Sequence, residues 1–147
     1  MTAVRTETLA AAVRSVHSIF KVVDTASRRL LKDFGVTGPQ LWALRTIEEA
    51  QGLTIGQLAD RLYLHISTVS VLLDRLEKAR WIERRRSTED RRVVRLTVTR
   101  RGRALIARAP EPPRSVVLRG LKALDDRELA DMARALGRLL EMLGGRL

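Results

Sequence analysis

The chain has no cysteine among its 147 residues. That excludes disulfide scaffolds, thiolate zinc sites, iron–sulfur clusters and thiol redox sensing. It has two histidines, His17 and His65. With no clustered carboxylate pair beside them, a His/carboxylate metal site has poor material, and no metal or cofactor is implied. A G-x-S-x-G elbow and a Gly-rich phosphate loop are also missing, which argues against an enzyme. No apolar run approaches the roughly 18 residues that span a bilayer, so no membrane partner is expected. Arg14 interrupts the apolar stretch near the N-terminus and no small-residue cleavage site follows. The segment does not read as a secretory signal, and a cytoplasmic protein is expected.

What the chain has in excess is positive charge. Lys and Arg number 28 against 17 Asp and Glu, a formal charge of +11, with a pI near 11.4. Hydrophobic residues make up 45%, so this is a folding sequence and not a basic tail. A basic protein with a folded core points to a polyanionic partner, most often nucleic acid. The charge is also concentrated. Residues 75–103 hold twelve basic side chains, eleven of them Arg, against Glu77, Glu83, Glu89 and Asp90. A charge run is ordinarily a solvated face, but Arg binds phosphate bidentately and enters narrow minor grooves, where Lys is the usual choice for solubility.

Both ends of the chain read as amphipathic helices. Leu9, Val13, Val16, Phe20, Val23, Leu30 and Phe34 alternate steps of four and three, skipping one turn at Ser27, and Gly35 ends the pattern. Leu129, Met132, Leu136, Leu139 and Leu143 repeat it, with Asp125 and Glu128 as a capping box and Gly144 and Gly145 as the stop. Single apolar stripes of this length have little to pack on in so small a protomer, which predicts a homodimer interlocked through both termini.

Three shorter helices lie between. Thr37 with Gln40 and Thr54 with Gln57 are capping boxes, the first followed by Pro39 in the opening turn. After a tight turn at Tyr63, Leu64 and His65, a third helix is predicted over about 66–79, with Val69, Leu72, Leu73 and Leu76 inward. Two short helices joined by a tight turn have the form of a helix-turn-helix. The period then changes to two at 81–84 and 94–98, flanking the polar segment 87–91, which predicts a β-hairpin with a charged tip. Thr99 and Gly102 open a further helix, which Pro110, Pro112 and Pro113 must break or kink near Glu111. The expected fold is mainly α with a small β-hairpin wing. It is a winged helix-turn-helix over 35–99, with 1–34 and 100–147 as a helical dimerisation region.

Sequence must be read by few side chains. Ser67, Thr68 and Ser70 at the start of the third helix can hydrogen-bond base edges or phosphate, and helix capping is their alternative role. Val71 can touch a thymine methyl or simply pack. Arg75, one turn on, is a phosphate candidate unless Asp74 or Glu77 pairs with it. Arg84, Arg85 and Arg86 alternate faces on the incoming strand, so Arg84 and Arg86 are the pair expected at the backbone. At the wing, Arg92 is expected in the minor groove, with Asp90 orienting its guanidinium and Arg91 nearest the tip.

The segments LTIGQLADRL (53–62), STVSVLLDRLEKARWIERR (67–85) and DRRVVRLTVTRRGRAL (90–105) resemble the MarR/SlyA family of bacterial winged-helix transcriptional regulators. The last two are the specific ones, because an Asp-x-Arg wing placed there is uncommon among helix-turn-helix proteins. The resemblance implies a triangular homodimer joined through its terminal helices, gripping a palindromic operator in double-stranded DNA as a transcriptional regulator, usually a repressor. It also implies release by small aromatic acids or phenols in many members. Absence of cysteine excludes the thiol-based peroxide-sensing branch as a mechanism here. This chain has Tyr63 and Arg80 where the family usually has Gly, His65 where it has a capping Ser, and Val71 where an Arg is frequent. Arg80 must then take a left-handed or other non-helical conformation.

For an aromatic-acid effector, the candidates are His17, Phe20, Trp42, Arg45 and Tyr63, with ordinary core or interface roles as the alternative. Two other functions fit the composition. One is an architectural protein that binds DNA without sequence preference; the other is a dimeric interaction module that has lost DNA binding.

Overall fold

A computed structural model describes residues 2–144 of the chain. Its elements run α1 (Ala3–Phe34), α2 (Gly38–Glu49), α3 (Ile55–Leu62), α4 (Ile66–Lys78), β1 (Ile82–Arg86), β2 (Val94–Val98), α5 (Arg100–Arg108), α6 (Pro113–Lys122) and α7 (Asp126–Met142). The fold is the helical one with a hairpin wing that the sequence predicts. The chain divides into two compact units, residues 1–114 and 115–147. The first takes in α1 and α5 along with the 35–99 segment.

In the first unit the helix starts are set by side chains. Thr37 accepts from the Gln40 amide at 3.4 Å while Gln40 accepts from the Thr37 amide at 2.9 Å, and Thr54 and Gln57 repeat the exchange. Each reciprocal pair satisfies two backbone donors that a helix start leaves free. Helix α2 is the central element, buried at Leu41, Trp42, Ala43, Leu44 and Ile47. Around it close Leu58 and Leu62 of α3, Val69, Leu73 and Leu76 of α4, and Ile82 and Leu96 of the hairpin. Each such side chain contributes roughly 1.5–3 kcal/mol by leaving water.

The hairpin is antiparallel, pairing Ile82 with Val98 and Arg86 with Val94. Strand β1 therefore runs two residues beyond the expected 81–84, because Arg85 and Arg86 still find ladder partners on β2. The free edge of β2 is paired too: Leu96 donates to the Leu53 carbonyl at 2.9 Å and accepts from Gly52 at 3.3 Å. Two residues are too few to register as a strand period.

Helix α5 packs onto the base of the wing at Gly102, where a Cβ would stand 2.2 Å from the Trp81 carbonyl oxygen. It ends at Arg108. Ala109 is extended, and Pro113 opens α6 in the first helical position, where its missing N–H costs nothing. The break expected near Glu111 is there.

The N-terminal stripe has two fates. Leu30 is buried and Phe34 packs beside it against Val36, Leu41 and Ala109, whereas Leu9, Val13, Val16 and Phe20 stand exposed. In the second unit, Asp125 and Glu128 cap α7 reciprocally, and Leu129, Met132, Leu136 and Leu139 are likewise exposed. Gly144 is left-handed at φ 75°, while Gly145 lies outside the described residues. No helix among the described residues is long and apolar enough to cross a membrane.

Candidate nucleic-acid interface

Helix α4 is placed by the turn before it. The Leu64 amide bonds the Ala59 carbonyl and the Tyr63 amide that of Asp60, closing α3 in the double bond pattern that needs a left-handed residue. That residue is Tyr63, at φ 53°. The same pattern ends α4: Trp81 bonds Leu76, Arg80 bonds Glu77, and Arg80 takes φ 59°. Both positions where the family usually has Gly are thus left-handed with a side chain attached, a strain of about 1–2 kcal/mol each. His65 is the N-cap of α4, with no side-chain cap bond.

Val69, Leu72, Leu73 and Leu76 bury one face of α4. Ser67, Thr68, Val71 and Arg75 are exposed on another, at spacings that bring Ser67, Val71 and Arg75 into one row. No ion pair engages Arg75 among the described residues, so the alternative role, pairing with Asp74 or Glu77, does not occur. Ser70 is half-buried and its hydroxyl donates to the Ile66 carbonyl at 2.9 Å, a back-bond along its own helix. In this rotamer its donor is engaged along the helix. Ile66, which the sequence did not single out, is exposed beside Ser67.

The wing tip is ordered by two side chains. Ser87 Oγ accepts from the Glu89 and Asp90 amides, and Asp90 Oδ1 accepts from the Arg92 amide at 2.9 Å. Asp90 therefore fixes the backbone of the tip and does not orient the Arg92 guanidinium as expected, because the nearer donor is the amide two residues on. Arg86, Arg91 and Arg92 are exposed with no ion pair among the described residues. Arg85 pairs with Glu83 at 2.7 Å on the opposite face.

Arg84 departs most from expectation. Its guanidinium turns from the phosphate side onto α4, reaching Asp74 Oδ1 at 2.6 Å, Glu77 Oε2 at 3.6 Å and the Ser70 carbonyl at 3.5 Å. The acids at 74 and 77 on the adjacent helix face outcompete solvent. The signal for this was present, since Ser70, Asp74 and Glu77 are spaced i, i+4, i+7 on a helix that leads straight into Arg84.

The five effector candidates do not form one site. Trp42 is buried under the Arg114 guanidinium, 4.6 Å from its ring centroid, and desolvation lowers the pKa of Arg114. Arg45 donates to the Ala109 carbonyl at 2.8 Å and to that of Ile106 at 3.3 Å, closing the end of α5. Tyr63 projects outward from its turn, and His17 and Phe20 lie exposed on α1. An open cleft of about 420 Å³ exists instead between Lys21, Val22, Ala26 and Leu30 of α1 and Pro110 and Glu111, and none of the five lines it.

An exposed basic hairpin fixed beside a helix that presents small side chains is an arrangement for duplex DNA, and comparison with known proteins agrees. The MarR family model matches residues 36–94, the segment from the start of α2 to the wing. The organic hydroperoxide resistance transcriptional regulator of Bacillus subtilis is 34% identical over 114 residues, 78% of this chain and 76% of that one. YsmB of the same organism, an HTH-type transcriptional regulator, is 29% identical over 95% of each chain. FabT of Streptococcus pneumoniae, solved in complex with DNA, matches with a TM-score of 0.59 at 25% identity, covering 94% of this chain and 96% of that one. The chain belongs to the MarR family of DNA-binding transcriptional regulators and is not an enzyme.

Proposed function

We propose that this regulator is a cytoplasmic homodimer that represses transcription by occupying a palindromic operator. The observation that carries the reading is the pairing of three unpaired tip arginines, Arg86, Arg91 and Arg92, with the exposed row Ser67, Thr68, Val71 and Arg75 on α4. Phosphates attract the arginines through counterion release, and the row on α4 enters the major groove. Two-fold symmetry follows from the exposed apolar rows of α1 and α7, which a second copy covers. Half-sites then lie about one helical turn, roughly 34–36 Å, apart. Within the same proposal, a small aromatic acid releases the DNA by entering the cleft beside α1, where Lys21 and Arg29 supply cations that Arg45 does not.

Selection of bound duplexes from a random library, with sedimentation of the free protein, tests this. The expected result is a dimer and a two-fold symmetric motif, with affinity lowered by millimolar benzoate. A stable monomer, or binding to all duplexes alike in about 150 mM salt, overturns it.

A further inference from the structure

We propose that Arg84 is a positioning residue that ties the wing to the recognition helix, setting the distance between the DNA-contacting tip and the base-reading row without touching DNA itself. The inference rests on the DNA-binding reading and adds a role for a residue that the fold would otherwise leave as one more surface cation.

The connection from α4 to β1 is short. Only Ala79, Arg80 and Trp81 separate the helix from the strand, and the left-handed Arg80 sits in the middle. Backbone hydrogen bonds close the turn, but none of them reaches the wing beyond it. Arg84 does. It stands two residues along the strand from buried Ile82, on the same side, and spans nearly two turns of α4 by reaching the Ser70 carbonyl, Asp74 and Glu77 together. Its side chain is 25% exposed, against 73% for neighbouring Arg85, which pairs with Glu83 on its own strand. An isolated exposed pair is worth little, whereas this guanidinium hydrogen-bonds two acceptors on one rigid helix, Asp74 Oδ1 and the Ser70 carbonyl, with the Glu77 carboxylate 3.6 Å away, and loses less freedom per contact.

The consequence for binding is geometric. Asp74 lies one residue before Arg75 and three after Val71 on the element that enters the groove. Fixing β1 to Asp74 fixes the wing relative to that element. Two arginines further along the same protomer, Arg91 and Arg92, then meet phosphate in register with the bases that α4 reads. The positive charge of Arg84 is matched by two acids, so it adds nothing to the count of phosphates neutralised.

The test uses the tightest duplex recovered from a random library with the unmodified protein, and a scrambled duplex of equal length. Variants are Arg84→Gln, Asp74→Asn and the double substitution, each checked to melt within a few degrees of the unmodified protein. For Arg84→Gln the expected result is about tenfold weaker binding to the selected duplex, with the salt slope and the scrambled-duplex affinity unchanged. For Asp74→Asn the selected duplex weakens similarly. Its scrambled-duplex affinity rises and its slope steepens, because the freed guanidinium now finds phosphate. The double substitution is no worse than either single one, as for two members of one contact.

Three results overturn the proposal. A slope reduced by about 0.9 for each Arg84 removed, with both duplexes weakened equally, makes Arg84 a direct phosphate contact. Unchanged discrimination makes the contact ornamental, and additive losses in the double variant uncouple the pair. A protein that recovers no preferred duplex at all refutes sequence-specific reading, and the tether with it, before any variant is compared.

Discussion

Tyr63→Gly should stabilise the protein even though it removes an aromatic ring. Tyr63 holds the left-handed position that closes α3, at φ 53°, and its side chain is 70% exposed. A side chain there costs about 1–2 kcal/mol of steric strain, which glycine does not pay. Glycine adds back about 0.5–1 kcal/mol through the greater freedom of the unfolded chain. Little burial is lost, so the net gain is about 0.5–1 kcal/mol, or a rise in Tm of roughly 1–4 °C for a chain of this size. Tyr63→Ala separates the causes: it removes the ring but keeps the Cβ, and the strain remains. Scanning calorimetry at one fixed protein concentration measures both, since Tm in an associating protein depends on concentration. A Gly variant that melts no higher than the Ala variant refutes the reasoning, because the left-handed backbone would then carry no strain to release.

Other substitutions follow from the same contacts. Gly102→Ala drives a methyl group into the Trp81 carbonyl oxygen, at 2.2 Å, and Val98 Cγ1, at 2.6 Å, and should lower stability by at least 1–3 kcal/mol in a urea melt. An unchanged midpoint would mean that α5 and the wing base shift freely. Arg92→Ala should weaken binding to the selected duplex and flatten its salt slope by about one unit per protomer in fluorescence anisotropy; an identical slope removes this tip residue from the phosphate contacts. Val71→Ser should change the motif recovered from a random library while Ser70→Ala leaves it unchanged, since the Ser70 hydroxyl is spent on the Ile66 carbonyl. The opposite pattern would exchange the roles of the two. Leu136→Glu, on an exposed position of α7, should shift the sedimentation profile toward monomer, and an unaltered profile would exclude that face from the dimer contact.

Much of the fold was legible because its signals are local. Capping boxes at Thr37 and Thr54, the change of period at the wing and the prolines after Ala109 each act within a few residues, and each gives the expected element. The resemblance implied a left-handed or other non-helical Arg80, because related chains usually have Gly there, and the left-handed state is the one it takes. The site was legible only in outline. Arg91 and Arg92 are at an exposed tip, but which arginines stay free depended on how the turn at Arg80 lays β1 against Asp74 and Glu77 of α4, ten and seven residues before Arg84.

What the sequence determined by itself is therefore the order of the elements, the concentration of arginine at one hairpin, and the membership of a family of DNA-binding regulators that its motifs resemble. Only the tertiary structure decided that Arg84 belongs to the helix and not to the phosphates, that Asp90 holds an amide, and that Trp42 and Arg45 are taken by Arg114 and by the end of α5. The reason is physical. Backbone hydrogen bonding and apolar periodicity are settled between near neighbours, whereas a long charged side chain chooses among every partner within its reach, and the fold alone says which are near.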